Sequence, residues 1–326
     1  MVYGLSFAVI KMKNAPIGGQ AVLEGVMMRG PRAWSVAIRK PNGDITSVNR
    51  EVTSMLARNR IWRIPIIRGV IALGESLAIG FRALSISANY AAQEEGSGEE
   101  PSEEISRAQM FFAFAVAVGF VLLLFKVGPA LITDRLPVGD GAGFVIAEGA
   151  IRVAIFIAYL ALISLLPDLR RVFQYHAAEH KAINAYEANA RLEPSIVQRY
   201  SLIHVRCGTA FLLYVMVVAI FVFAFFGRPA WYWLVITRIL LLPVIAGVAY
   251  EIIRFAGKYP NNPILRAALF PGLMLQRLTT REPTLEQVAV SVYALEEVLR
   301  LEGRGESSIV GSRSGSGERT NVDIMA

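Results

Sequence analysis

The sequence predicts an α-helical integral membrane protein with about four transmembrane helices and a small cytoplasmic α+β portion. Hydrophobic residues make up 54% of the 326 residues and the mean hydropathy is +0.47, which is too apolar for an ordinary soluble domain. Apolar runs long enough to cross a bilayer occur at about 109–132, 143–166, 208–227 and 230–250.

The distribution of Lys and Arg predicts the orientation of these spans. Thirteen of these residues lie in 1–107, one in 134–142, six in 167–207, one in 227–229 and nine in 251–326. Because positive charge accumulates on the cytoplasmic side, both termini and the 167–207 segment are expected to be cytoplasmic. The net charge of +7 then fits this topology and contact with membrane lipids that have anionic headgroups, so no nucleic-acid partner is expected.

Seven segments follow from this pattern. They are a cytoplasmic β-rich glycine-motif unit at 1–60, an interfacial helix and acidic linker at 61–107, a transmembrane hairpin at 108–166, a cytoplasmic His/Cys segment at 167–207, a second transmembrane hairpin at 208–250, interfacial and amphipathic helices at 251–302, and a disordered tail at 303–326.

The N-terminal unit is predicted to be a small β structure. Four glycines within 17–31 indicate backbone that turns tightly or approaches another group closely. The strand-like runs at 34–39 and 45–52 flank KPNGD, which is typical of a hairpin. Two interpretations of the polar side chains in the glycine motif stay open: a strand with one solvated face, or Glu24 or Gln20 reaching the histidine segment.

The segments that flank the predicted spans have their own patterns. Residues 61–92 are apolar but contain four charges, which favours a position in the membrane interface or beneath the helix bundle over a crossing. The run at 94–104 is typical of a solvated acidic linker. Residues 264–278 fit a short re-entrant or interfacial helix, and 283–301 an amphipathic helix that needs the β unit or the histidine helix as its partner.

Four ionisable residues fall within the predicted spans: Lys126, Glu148, Arg152 and Arg238. Such groups are costly in a bilayer, so they are expected to face protein or water and to be paired. Glu148 and Arg152 are four residues apart and can pair on one helix face. The excess of cations leaves two further possibilities, an anionic headgroup as counter-ion or outward snorkelling of Lys126.

The candidate functional residues cluster in the predicted cytoplasmic segment between the two transmembrane hairpins. The run FQYHAAEHKAINAYE places His176 and His180 four residues apart with Glu179 between them, and His204 and Cys207 follow in HVRC. No Gly or Pro interrupts 170–193, so the run is expected to be helical. At about 100° per residue, both histidines and the carboxylate share one helix face, which is a possible metal-binding face.

Four motifs in order carry a resemblance to a known family. They are GGQAVLEGVMMRGP, FQYHAAEHKAINAYE, HVRCGTAF and FPGLMLQRLTTREPTLEQ. With these motifs the sequence resembles the YqhQ-like bacterial polytopic membrane proteins, described as predicted metal-dependent enzymes, over about residues 15–300. The resemblance implies a metal-dependent enzyme of the bacterial inner membrane but names no reaction. Ala177 stands where the family's glycine is expected, which leaves the candidate ligands unchanged.

The spacing H-x-x-E-H suggests a specific chemistry. In proteins with this spacing, two histidines bind zinc and the adjacent glutamate acts as general base. We therefore predict a divalent metal, zinc, held by His176 and His180, with Glu179 as the catalytic base of a hydrolase. A third ligand is needed, and His204, Cys207 and Glu24 are the candidates; Glu187 lies about 10 Å from His180 along the helix axis, which is too far.

Two alternatives remain open from the sequence. If both histidines of the helix, His204 and Cys207 all bind one ion, the site is closed and structural. The protein would then be a non-enzymatic assembly factor or lipid-interacting scaffold, with a structural metal or none. In the other alternative the histidines make ordinary hydrogen bonds, and Lys181 and Glu187 are surface charges.

Overall fold

The computed structural model describes residues 16–40, 42–52, 54–92, 107–139, 141–226, 231–259 and 262–303. The expected acidic linker at 94–104 lies outside the described residues. Residues 1–15 of the N-terminal unit and all but the first residue of the expected tail also lie outside them.

The N-terminal unit is a four-stranded antiparallel sheet in the order β1-β2-β3-β4. The strands are β1 Gly18–Val22, β2 Gly25–Arg29, β3 Ala33–Arg39 and β4 Ile45–Glu51. The predicted β3–β4 hairpin is confirmed: the backbone N–H of Lys40 donates to the carbonyl of Asp44 at 2.8 Å. Gly43 takes φ +89° in this turn, a conformation that favours glycine.

The helices follow in chain order, with two irregular turns among them. They are α1 Met55–Arg58, a 3₁₀ turn at Arg60–Arg63, α2 Ile67–Ala92, α3 Arg107–Leu122, a π-helical turn at Leu123–Val127, α4 Gly128–Thr133, α5 Ala142–Ile163, α6 Pro167–Glu187, α7 Pro194–Val197, α8 Gly208–Ala224, α9 Trp231–Lys258, α10 Pro263–Thr279 and α11 Leu285–Leu301.

Both faces of the sheet are covered. Val26, Met28 and Ala37 pack with α6 and α11, whereas another group of strand residues packs with Ile79 and Ala83 of α2. That second group consists of Val22, Met27, Trp34, Val36 and Ile38. For β2, the expectation of a strand with one solvated face is therefore wrong, because a helix layer excludes water on each side.

The C-terminal helix packs as its periodicity predicts. Val288, Val292 and Leu295 of α11 are buried in one core with the sheet and α6, so the helix has both expected partners. A capping box fixes its start: Thr284 Oγ1 accepts from the N–H of Gln287, and the Gln287 side chain accepts from the N–H of Thr284. Leu285 is the exception on the predicted face, since it is 54% exposed.

Within the described part of the chain, four helices are long and apolar enough to cross a membrane: 67–90 in α2, 115–133 across the π turn into α4, 142–163 in α5, and 236–256 in α9. Helix α8 is apolar but shorter, at 17 residues. The structure thus adds α2 to the candidates, although residues 61–92 were expected not to cross. The second half of α2 lies against the sheet, where Ile79 and Ala83 are buried.

Leu295 gives a direct test of this core. It is fully buried between α6 and the sheet, so Leu295→Ala should lower the free energy of unfolding by about 2–5 kcal/mol. Leu285→Ala removes the same atoms from an exposed position of the same helix and should change the free energy of unfolding by no more than about 0.5 kcal/mol. Denaturant titration of the detergent-solubilised protein measures both; equal losses would contradict the packing described here.

Candidate metal centre

The candidate site is built on α6, which is buried on nearly all sides. Small residues let neighbouring backbones approach this helix: Ala177, Ala178, Ala182 and Ala185 are all fully buried. Ser291 of α11 donates from Oγ to the carbonyl of Ala178 at 3.0 Å. The predicted helix is therefore confirmed, and its burial holds the side chains of the HAAEH motif in fixed directions.

Both imidazoles of α6 are oriented by backbone carbonyls. His176 Nδ1 lies 2.8 Å from the carbonyl oxygen of Thr279, and His180 Nδ1 lies 2.5 Å from that of Leu202. A carbonyl can only accept, so each Nδ1 carries a hydrogen and each Nε2 is the ring nitrogen left for another partner. This arrangement is the one that metal-binding histidines adopt, because the outer hydrogen bond fixes the tautomer and the ring direction.

The third member of the cluster is Cys207, the residue that precedes the first turn of α8. Its Sγ lies 3.4 Å from Nε2 of His176 and 2.8 Å from Oγ1 of Thr209. Burial raises the pKa of a thiol, but the hydrogen bond with His176 and the two neighbouring imidazoles hold the pKa of Cys207 well below its usual range. The start of α8 also favours the thiolate, since a helix N-terminus carries partial positive charge.

One potential ligand atom from each of His176, His180 and Cys207 lies within 4.8 Å of the other two. Burial lowers the pKa of His176, yet the Cys207 thiolate, the Glu179 carboxylate and the Thr279 carbonyl together raise it to about 9. Nε2 of His180 is buried and has no hydrogen-bond partner among the described residues. An unpartnered buried nitrogen beside a thiolate is an observation that a bound cation would explain.

Glu179 lies at the edge of this cluster. One carboxylate oxygen is 3.9 Å from Nε2 of His180, and the residue is 5% exposed. Gly19 of β1 lies directly against this side chain: a Cβ at position 19 would sit 2.7 Å from Cγ and 2.9 Å from Oε1 of Glu179. The close approach expected for a glycine of this motif thus occurs at the predicted catalytic carboxylate.

His204 is buried near the cluster but outside the three-residue group. Its ring centroid is 5.8 Å from that of His180, and its Nε2 lies 3.6 Å from Oε2 of Glu187. Burial lowers the pKa of His204 and outweighs the neighbouring carboxylate, so the ring is neutral at neutral pH. Gln276 of α10 fixes its backbone, accepting from the His204 N–H at 2.9 Å and donating to its carbonyl at 2.8 Å.

The other predicted site residues have different partners. Glu24 forms an ion pair with Arg171 and accepts a 3.4 Å hydrogen bond from the Tyr175 hydroxyl. Its carboxylate therefore contacts the histidine helix without joining the ligand group. Gln20 lies against α2 instead, where a Cβ at Gly80 would clash with its side-chain oxygen.

The interpretation of Lys181 and Glu187 as surface charges is wrong. Lys181 is 3% exposed and its Nζ donates to the carbonyls of Gln198 and Tyr200 at 2.6 and 3.0 Å. Glu187 pairs with Arg206 beside His204. These contacts hold the loop between α6 and α8 against the helix, which places Leu202 and Cys207 at the histidines.

A cavity of about 360 Å³ opens beside the cluster. It is lined by Ser201, Leu202 and Ile203 of the loop and by Arg277 and Thr280 at the end of α10. The Leu202 carbonyl that orients His180 belongs to this wall, and Thr280 follows the residue that orients His176. The cavity is thus formed by the same two segments that orient the imidazoles, but its lining does not include His176, His180, Cys207 or Glu179.

Comparison with known proteins identifies the family. Residues 64–301 match a family model described as "Protein of unknown function (DUF1385)", and the chain belongs to this family. The chain is also 33% identical over 301 residues to "Uncharacterized protein YqhQ" of Bacillus subtilis (strain 168), covering 89% of this chain and 94% of that protein. The YqhQ-like family expected from the four motifs is therefore confirmed. No solved structure matches the chain.

The arrangement predicts which residues bind a metal. His176→Ala, His180→Ala and Cys207→Ala should each reduce the metal content of the purified protein from about one equivalent to nearly none, because two donors do not hold an ion in this cluster. His204→Gln should keep the metal, since His204 faces Glu187. Elemental analysis by mass spectrometry measures all four. A folded His204→Gln protein without metal would instead indicate a closed four-ligand site.

Proposed function

We propose that this protein is a metal-dependent enzyme, a hydrolase acting at the cytoplasmic face of the bacterial inner membrane, with zinc as its divalent metal. The observation that carries the proposal is the three-residue donor group formed by His176, His180 and Cys207, from which His204 is turned away. Three protein ligands with one open position are typical of catalytic zinc sites, whereas structural sites are closed by four.

The residues present fit such an ion. Two imidazole nitrogens and one thiolate form a borderline-soft set that suits zinc. The unpartnered Nε2 of His180 and the lowered pKa of Cys207 supply the free electron pairs that ligation requires. A bound zinc ion would supply Lewis acidity and lower the pKa of a water molecule in its open position.

The other roles in the proposed reaction belong to residues of the chain itself. The Glu179 carboxylate has no hydrogen bond to another described side chain and lies beside the donor atoms, so it can take a proton there as general base. Gly19 leaves the room that this carboxylate occupies.

The packing of the described elements supports the proposed topology. The sheet and α6 share one core, so they lie on the same side of a membrane and the chain between them crosses an even number of times. Three apolar helices lie in that stretch, and α2 is the one that packs on the sheet. This leaves α3–α4 and α5 as one crossing pair.

The chain between α6 and α11 also crosses an even number of times, because these two helices share a core. Helices α8 and α9 form the second crossing pair, and the 17 residues of α8 are just long enough for a transmembrane helix. We therefore propose four spans with both termini cytoplasmic and the candidate site at the membrane face, where α8 begins. This topology fits the Lys and Arg pattern and lipid contact by the exposed apolar helices.

A structural role is the competing proposal, because the loop that carries Leu202 and Cys207 is already tied to α6 by Lys181 and Asn184. A metal at the cluster would then be structural and would add a further link between this loop and α6, in an assembly factor or lipid-interacting scaffold. The two proposals differ in what they require of Glu179, since a clamp needs no base.

Glu179→Gln separates these functions. In a hydrolase, this variant should keep the metal and the fold but lower activity about 100-fold or more, because the amide cannot take the proton. Complementation of a strain lacking the encoding gene, with metal content and membrane level measured in parallel, is the readout. Glu193→Gln, an exposed carboxylate of the following loop, is the matched control and should complement fully. Full complementation by a metal-loaded Glu179→Gln protein would eliminate the hydrolase.

Gly19 and Gly18 provide a second test that leaves every titratable group intact. In Gly19→Ala the new methyl group would clash with Glu179 and, at 2.9 Å, with the carbonyl oxygen of Met27 on β2, so complementation should fall while metal stays bound, and the protein level must be measured in parallel. Gly18→Ala meets no atom within 4 Å and should behave as wild type. If both variants complement equally at equal protein level, the position of Glu179 does not matter for function.

A further inference from the structure

A second cluster of charges lies inside the apolar helices, away from the histidines. Glu148 of α5 forms an ion pair with Arg152 one turn later, and its other oxygen accepts from Nη2 of Arg238 on α9 at 3.1 Å. Arg152 Nε also donates to the carbonyl of Phe125 at 2.9 Å. The pairing expected for the charges of the spans is therefore present for Glu148 and for both arginines.

The cluster nevertheless carries excess positive charge. Lys126 lies on the exposed surface of its helix, and the charges that act on it are those of Arg152, Arg238 and Glu148. Glu148 is shared by both arginines and Lys126 has no carboxylate partner among the described residues, so these four side chains carry a net charge of +2. In apolar surroundings such an excess is costly, so an anion at this place would stabilise the protein.

The backbone is irregular at the same place. Lys126 lies in the π-helical turn Leu123–Val127, and Phe125, whose carbonyl binds Arg152, belongs to it too. A π turn inserts one residue into a helix and rotates the side chains around it, and such turns are frequent at functional sites. The π-helical turn therefore carries both Lys126 and the carbonyl of Phe125 that accepts from Arg152.

Three of the charges lie at a similar distance from their helix ends. Lys126 lies seven residues before the end of α4, Arg238 seven residues after the start of α9, and Glu148 six residues after the start of α5. At 1.5 Å per residue each is about 10 Å from its helix end, whereas Arg152 lies about 15 Å from the start of α5. Long basic side chains reach the headgroup region from such a depth.

We propose that Lys126, Arg152 and Arg238 form a binding site for a phosphate group, and that the phosphate belongs to the headgroup of an anionic lipid. Guanidinium and ammonium groups are the donors that phosphate oxygens take in proteins, and the phosphodiester of an anionic headgroup, with its charge of −1, would offset part of the excess positive charge. Glu148 holds the two arginines side by side, whereas Lys126 reaches the lipid from the outer surface of the bundle. The site does not depend on the metal or on the proposed hydrolase.

Lipid binding by the full chain in detergent tests the proposal. Native mass spectrometry with phosphatidylglycerol should show tighter binding than with zwitterionic phosphatidylcholine. Lys126→Gln should weaken phosphatidylglycerol binding about fivefold, the effect expected for one basic side chain near a headgroup. Lys40→Gln makes the same change in the turn between β3 and β4, away from the apolar helices, and should leave the preference unchanged.

Three further measurements complete the design. Lys126→Met places an apolar side chain on the same exposed surface and should fold and lose binding as Lys126→Gln does, whereas Lys126→Arg should retain binding. If inorganic phosphate raises the melting temperature of wild type but not of Lys126→Gln, the ligand of this site is soluble phosphate. Equal binding of both lipids by wild type, or unchanged phosphatidylglycerol binding by both Lys126 variants that lack the charge, would overturn the proposal.

Discussion

The burial of α6 is the constraint on which the site depends. The sheet and α11 cover one side of the helix, and the loop before α8 and the end of α10 cover the side that carries the histidines. Because small alanines allow this close packing, backbone carbonyls reach His176 and His180 and fix their tautomers. The chemistry of the cluster follows from this packing, since free rotation of either ring would remove the convergence of both Nε2 atoms on Cys207.

The same burial constrains the membrane topology. The strands, α6 and α11 are separated in sequence by apolar helices and yet share one core, so in the proposed topology each intervening stretch returns to the side from which it left. Length and composition select α2 as a candidate span and leave α8 short. The proposed topology makes the opposite choice, because Ile79 and Ala83 of α2 are buried against the sheet.

The local features of the site were predictable from the sequence, and the long-range ones were not. Two histidines and Glu179 share a helix face through spacing alone, and Cys207 stood out as the single cysteine. Lys181 was misjudged because a lysine on a helix normally lies in water, and its partners are carbonyls 17 and 19 residues away. Gln276 was missed for the same reason. A polar residue in an apolar run indicates a buried hydrogen-bond partner, but the sequence does not show that this partner is the backbone of His204, 72 residues earlier.

The position of His204 decides between an open and a closed site. Two hydrogen bonds from Gln276 hold its backbone, and Glu187, paired with Arg206, lies beside its ring. Entry of His204 into the ligand group would require the ring to leave the half-buried carboxylate of Glu187, 3.6 Å from its Nε2. The surroundings of His204 therefore oppose a fourth protein ligand. A cation held by the other three residues would keep one position for a molecule from outside the chain, next to the carboxylate of Glu179.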